Sequence, residues 1–312
     1  MTTIPRLSIP AHIRATLVLG LPLIGSHLAQ MLLHVTDTVM LGWYGVTELA
    51  AVVLGASGFF IVFILGSGFG IGVMGMVASA LGRGDEAQVR RDTRMGLWLS
   101  IFYGVLAMPV MWYSGTILLV LGQKPEVAAM AQEYLRIAGF GLIPAVLVMV
   151  LKSYLAANER TQVVLWVTLA AVALNALMNW AMIFGNLGAP ELGLKGAAIS
   201  SLICQILAAV VLAVYAGLEP DLRRFHLFQR FWRPDWPALR QVFALGWPIG
   251  LTGLAEGGLF QASALMMGWI GTRELAAHGI ALEITALSFM VHLGLSNAAT
   301  VRVGRAMGAN DP

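Results

Sequence analysis

Charge is what this sequence has least of. Asp, Glu, Lys and Arg make up 11% of its 312 residues, while apolar residues make up 58%. Ordinary globular chains carry roughly 25% charged residues. A water-soluble fold of this length would leave much of that apolar surface facing water, which argues against a soluble enzyme, a disordered scaffold or a nucleic-acid-binding module. Cysteine is nearly absent as well. Cys204 stands alone in an apolar run, so no disulfide framework exists and the redox compartment is left open. No P-loop, HExxH, GxSxG or paired-cysteine metal spacing occurs. The stretch Gly70-Ile71-Gly72-Val73-Met74-Gly75 fits a dinucleotide fingerprint by letter, but it lies in an apolar run with no strand before it and reads as helix packing. The sixteen methionines are scattered, as adaptable apolar filler is. Neither enzymatic activity nor a cofactor is expected.

What is present is a series of long apolar runs. A membrane-spanning helix needs about 20 mostly apolar residues, because backbone groups in lipid must be satisfied within the segment. By that measure the chain holds eight spans, near 15–41, 48–80, 95–121, 131–156, 162–186, 194–217, 241–270 and 275–301. The run after Arg14 is too long for a signal-peptide core and lacks a cleavage pattern, so it reads as a retained first span. Lys and Arg divide unevenly between the two sides. Fifteen fall on the side of Arg6, Arg14, Arg83, Lys152 and Arg305, against Lys124, Lys195, Arg273 and Arg136 on the other. That asymmetry predicts a cytoplasmic N-terminus. The connection 219–240 interleaves Arg with Phe225, Phe228, Phe231, Trp232 and Trp236 and reads as an interfacial anchor rather than a nucleic-acid surface.

The chain also repeats itself. Residues 42–51, GWYGVTELAA, and 268–277, GWIGTRELAA, agree at seven of ten positions at an offset of 226. In the same register Gly20 and Pro22 match Gly246 and Pro248, Gly68 matches Gly294, and Gly82 and Asp85 match Gly308 and Asp311. Each copy starts after an even number of spans, so the two share one orientation, a plan known among secondary transporters. The division expected is a six-helix lobe over 1–218, a cytoplasmic basic linker over 219–240, and the first two helices of a second lobe over 241–312. A complete second copy needs four more helices, so the sequence is expected to be a fragment.

Ionisable groups inside spans are costly and are functional hypotheses by default. In the first span His27, Gln30, His34 and Asp37 follow at spacings of three, four and three, which puts them on one helix face. Asp37 is either a coupling carboxylate or one satisfied by the hydroxyls of Thr36 and Thr38. In the seventh span Glu256 lies near mid-depth, with Thr252 one turn before it and Gly257 and Gly258 leaving room for close helix approach. A mid-membrane carboxylate that takes either a proton or an organic cation is what an antiporter needs. Asn175 and Asn179 sit one turn apart in the fifth span, as substrate contacts or interhelical amide bonds. In the eighth, Glu283 is a further candidate for lining a cavity.

With VTDTVMLG in the first span, GNLGAPELGLKGAAIS between the fifth and sixth and LGLSNAATVRVGRAMG at the end, the chain resembles the multidrug and toxic compound extrusion (MATE) transporters, in particular the NorM-like branch. The resemblance runs along essentially the whole chain. It implies an all-α polytopic membrane protein, with eight spans here of an expected twelve in two parallel six-helix repeats around a central cleft. It further implies export of small cationic organic compounds coupled to H⁺ or Na⁺ entry. Asp37 and Glu256 match the family's acidic positions in the first and seventh spans and are the places for the coupling ion. Members of the branch also use a carboxylate in a tenth span, which lies beyond this sequence. The stretch AAHGIALEI departs from the family pattern at Gly279 and Glu283. The alternative within the same superfamily is a lipid-linked oligosaccharide flippase, which should line its cleft with cations for pyrophosphate; Arg136 is the one candidate.

Overall fold

The protein's structure, a computed structural model, describes residues 8–270 and 272–310; side chains at 46, 261, 264–265, 268–276, 279–280 and 283 lie outside that description. Among the described residues eight helical segments are long and apolar enough to cross a membrane. They comprise α1 (Ile9–Tyr44), α2 (Val46–Gly82), α3 (Glu86–Trp112), a span made of α5 (Pro125–Ala138) and α6 (Leu142–Ala157), α7 (Thr161–Phe184), α8 (Leu194–Leu218), α10 (Trp236–Ile270) and α11 (Thr272–Ala309). Two short helices, α4 (Ser114–Val120) and α9 (Pro220–Arg223), complete the chain. A 3₁₀ turn over Gly139–Gly141 joins α5 to α6. The architecture is all-α and multi-pass, as the apolar runs predict.

Punctuation sets the helix ends. Gly185 closes α7 in the left-handed region, φ 71°, where a residue without Cβ is favoured. The third span starts earlier than hydropathy suggests. Asp85 caps α3 by accepting from the Gln88 amide at 2.9 Å, so the helix begins at Glu86 rather than near 95. It breaks at Tyr113, and the run to 121 becomes α4.

The largest core cluster packs α2, α3 and α6 through Phe69, Val73, Val77, Met95, Leu99 and Tyr154. Around it, the sequence repeat becomes spatial. Helix α2 packs on α10, and α1 packs on α11. The repeat-related glycines stand at equivalent crossings. A Cβ on Gly68 of α2 would collide with the backbone of Gly246 and Gly250 in α10, and one on Gly294 of α11 would meet Ile24 in α1. At the arginine-rich end, Gly82 and Gly308 bring α2 and α11 together, each against the other helix's backbone. The repeated motif itself, over 268–277, falls largely outside the described side chains.

The segment after α8 is docked rather than free, and α10 already begins at Trp236, so the connection ends at Asp235 and not at 240. Phe225 is fully buried and meets Tyr154 edge-on at 6.3 Å. Trp98 donates its indole N–H to the Phe231 carbonyl at 2.9 Å, and Arg94 donates to the Gln229 carbonyl at 2.6 Å. Trp232 and Trp236 stay 72% and 69% exposed, as an interfacial belt requires. Arg91 closes the strap on Asp235 at 2.5 Å, and this guanidinium holds the Asp235 carboxyl below the usual carboxylate range. The sign follows from linkage. A lowered folded-state pKa contributes stability that is fully present above about pH 4 and is lost as pH falls through the lowered value. Hydrogen exchange over 219–235, corrected for intrinsic rates, should show protection at neutral pH that is lost in acid. Asp235→Asn should weaken protection at neutral pH and reduce its pH dependence, the pairs of Glu219 and Asp221 with Arg160 supplying the rest. Global stability should change by no more than about 1 kcal/mol, because the pair is partly exposed.

Candidate functional site

The polar stripe of α1 faces the interior, and its four side chains meet different partners. His27 pairs with Asn297 of α11 at 3.0 Å. Gln30 accepts from the Lys152 ammonium of α6 at 3.5 Å. His34 lines two cavities. Asp37 is 6% exposed and anchors a cluster contributed by three helices.

The hydroxyls beside Asp37 do not satisfy it. Thr36 donates to the Leu32 carbonyl at 2.8 Å and Thr38 to the His34 carbonyl at 3.0 Å, both within the helix. The carboxylate instead accepts from Asn179 Nδ2 of α7 at 2.6 Å and from Ser201 Oγ of α8 at 3.0 Å. Asn179 Nδ2 also donates to Asn175 Oδ1 at 3.2 Å, and Asn175 Nδ2 to Ser201 Oγ at 3.5 Å. The one-turn asparagine pair therefore reaches the first-span carboxylate. Asn179 Oδ1 is buried with no hydrogen-bond partner among the described residues. Asp37, Asn175, Asn179 and Ser201 thus join carboxylate, amide and hydroxyl groups in one hydrogen-bonded cluster, whose oxygens are of the class a hard cation prefers. Among the described residues no group of three or more His, Cys, Asp and Glu could hold a metal ion; the cluster's other oxygens come from amides and a hydroxyl.

On its other side Asp37 opens to a 350 Å³ cavity between α1, α2, α5 and α10. Phe60, Ile61, Ile64 and Tyr134 supply apolar and aromatic wall, and among the described residues no Lys or Arg lines it. That volume falls within the range of small-molecule sites. Leu254, Gly257 and Gly258 of α10 complete the lining. Among the described residues nothing stands within 4 Å of a Cβ on either glycine, so the close helix approach expected there is not made by them.

The seventh-span candidates do not join this group. Glu256 is exposed and is not among the cavity's lining residues. Thr252 donates back to the Pro248 carbonyl at 3.0 Å and is likewise outside the lining. Glu283 lies outside the described side chains. Arg136 is corrected too. It is exposed, donates to the Trp112 carbonyl at 3.2 Å and stacks on the Trp112 ring, away from the cavity. Among the described residues Lys152, which charge counting assigns to a helix end, is a cation that turns inward. Sequence reasoning also misses Ser201 and Asn297. A serine in an apolar helix usually back-bonds, as adjacent Ser200 does to Gly196, so the sequence gives no sign of which hydroxyl turns inward.

The family model MatE matches residues 22–181 and 248–312, which is most of the chain. The chain belongs to the MatE family. Among its relatives is the probable multidrug resistance protein NorM of Rhizobium meliloti (strain 1021), 51% identical over 302 residues, covering 97% of this chain and 65% of that protein. The protein of the same description from Agrobacterium fabrum (strain C58) is 48% identical over 301 residues, with 96% and 65% covered. The fold is similar to that of a solved structure described as the outward-facing conformation of a multidrug resistance MATE family transporter of the MOP superfamily, TM-score 0.82 at 23% identity, covering 96% of this chain and 65% of that one. The eukaryotic MATE transporter AtDTX14 has the same fold, TM-score 0.84 at 18% identity, with 96% and 66% covered. This MatE chain spans about 65% of the length of its NorM relatives.

Proposed function

We propose that this MatE chain is part of a secondary transporter, not an enzyme, that exports small cationic amphiphilic compounds by alternating access in exchange for H⁺ or Na⁺. The observation that carries the reading is the double exposure of Asp37. One side of its surroundings is a cavity with apolar and aromatic walls and, among the described residues, no lining cation. The other is an oxygen-rich cluster of Asn175, Asn179 and Ser201. A lipophilic cation in the cavity and a coupling ion in the cluster compete for the same negative charge. A buried ionised carboxylate needs a cation or strong hydrogen bonds, so neutralising it by H⁺ or Na⁺ weakens the hold on the organic cation. Transport then follows from differential affinity in the two access states.

The rest of the reading follows the membrane plan. The N-terminus and the docked 219–235 segment lie on the cytoplasmic face of a bacterial-type inner membrane, in accord with the arginine asymmetry. The six-helix lobe over 1–218 supplies the Asp37 cluster, and the second lobe begins after the linker. Glu256 acts as a second, mid-depth coupling carboxylate.

Expression of the complete reading frame in a drug-sensitive host tests this directly. Cells should extrude a fluorescent cationic dye while an ion gradient is maintained. Glu256→Gln should keep normal membrane levels and lose gradient-driven efflux; wild-type efflux from that variant removes Glu256 from the mechanism. Translocation of a labelled polyprenyl-pyrophosphate lipid without dye efflux would instead establish the flippase reading, which the absence of Lys and Arg from the described cavity lining disfavours.

A further inference from the structure

The arginine-rich end of the bundle holds two neighbouring cavities that the mechanism does not use, and their charges differ. The first, of 510 Å³, is lined by Arg160, Arg224 and Arg305 but also by Glu159 and Asp221. Two of its arginines are answered within the chain, Arg160 by Asp221 and Arg305 by Glu159 at 2.5 Å. The second, of 440 Å³, shares Arg224 and Arg305 with it and adds Arg302 and His12, beside Leu81 and Gly82. Among the described residues no carboxylate lines this second cavity.

The fold holds these cations in place. A Cβ on Gly82 would collide with the Arg305 carbonyl, so the α2–α11 crossing seats the turn of α11 that carries Arg302 and Arg305. Arg302 is held by neutral atoms: it donates to the His12 carbonyl at 2.6 Å, to Thr16 Oγ1 at 2.5 Å and to His12 Nδ1 at 2.6 Å. Arg305 donates to the Ala157 carbonyl at 2.7 and 3.2 Å as well as to Glu159. Arg224, from the connection after α8, stacks on the Phe225 ring at 4.7 Å and reaches Glu86 at 3.6 Å. Glu86 and Glu159 are exposed and stand outside the lining. Neutral acceptors fix the direction of a guanidinium without cancelling its charge, and like charges around one space repel unless an anion joins them. The guanidinium fork matches phosphate oxygens in shape and charge, and basic pockets between membrane helices are where lipid headgroups bind.

We propose that Arg224, Arg302 and Arg305, with His12, form a phosphate-binding site. Two sources carry that chemistry, the headgroup of an anionic phospholipid and free inorganic phosphate. The surroundings favour the lipid. Ile9 and Ile13 flank His12 along α1, Val303 and Met307 neighbour Arg302 and Arg305 along α11, and all four are exposed, giving apolar surface for acyl chains beside the headgroup. A phosphate bound there would join α11 of the second repeat copy to α1 of the first. None of the residues lining this cavity lines the one beside Asp37, and its occupancy does not depend on the exporter reading.

The product of the complete reading frame, stripped of lipid in detergent, tests the site. After incubation with cardiolipin, phosphatidylglycerol or phosphatidylcholine, native mass spectrometry should show the two anionic lipids retained in preference to phosphatidylcholine. Arg224→Gln should weaken that retention at least about tenfold, the size of one charge-assisted hydrogen bond. Its side chain is 60% exposed, so this variant should fold even where Arg302→Gln, which should have the same effect, does not. Arg233→Gln, at an exposed arginine of the same connection outside the lining, should leave retention unchanged. A second arm compares thermal midpoints in potassium phosphate and potassium chloride at matched ionic strength. A rise with phosphate that Arg224→Gln removes, without selective lipid retention, assigns the site to the free ion. The site is overturned if anionic lipids are held no better than phosphatidylcholine and phosphate raises no midpoint. Equal loss of retention in Arg224→Gln and Arg233→Gln overturns it too, because the effect is then one of overall charge.

Discussion

Asp37→Asn is expected to abolish gradient-driven cation export while leaving the bundle assembled. Asparagine keeps the shape of the side chain; its one oxygen can accept from Asn179, while its Nδ2 donates to Ser201 Oγ where the second carboxylate oxygen accepts, the two carboxylate bonds being 2.6 and 3.0 Å. What disappears is the negative charge. Charge-assisted hydrogen bonds are worth about 1.5–3 kcal/mol, so affinity for an organic cation should fall by about 10- to 150-fold. The coupling ion loses its anchor as well, so the response to pH or Na⁺ should vanish with transport. Dye binding to the purified variant, followed by fluorescence with and without Na⁺ and across pH, separates the two losses. Weakened but still ion-sensitive binding would place the coupling ion elsewhere.

The second large effect is structural. Gly68→Val should prevent α2 from seating on α10, because backbone of Gly246 and Gly250 occupies the space a Cβ would take. Overpacking of yielding side chains costs about 1–3 kcal/mol; here backbone must move, so the loss should lie at or above that range. Thermal denaturation in detergent or nanodiscs should show a clearly lowered midpoint and little monodisperse protein. Gly294→Val should do the same at the α1–α11 crossing, where Ile24 backbone is close. Gly257→Ala is the control. Nothing lies within 4 Å of a Cβ there, so stability should be unchanged.

These two predictions rest on features of differing visibility in the sequence. The glycine crossings are legible because the repeat preserves them at a constant offset, and close backbone approach is the reason a membrane helix keeps glycine. The α1 stripe is legible because spacings of three and four project to one face. Its partners are not. Asn179 is 142 residues from Asp37 and Ser201 is 164, and no periodicity on one helix announces a hydrogen bond to another. Lys152 sits six residues inside α6, where charge counting treats it as a helix-end residue; the register of α6 turns it inward instead. The start of α3 is hidden for a different reason. Residues 86–94 are polar enough to pass for a loop, but a capped helix continues through them because Arg91 and Arg94 find partners on the docked strap. Glu256 shows the converse. Its mid-span carboxylate is conspicuous in the sequence, yet the described structure leaves it exposed and beside the Asp37 cavity rather than in its lining.

The central claim is that Asp37 trades an organic cation for a coupling ion. The most direct measurement is counter-transport in proteoliposomes made with the complete reading frame, loaded with a lipophilic dye cation and given a pH gradient, a Na⁺ gradient or neither. The account predicts dye movement only when H⁺ or Na⁺ runs in the opposite direction, and ion flux that accelerates when dye is present. Dye movement that ignores both gradients, or ion flux indifferent to dye, would contradict it.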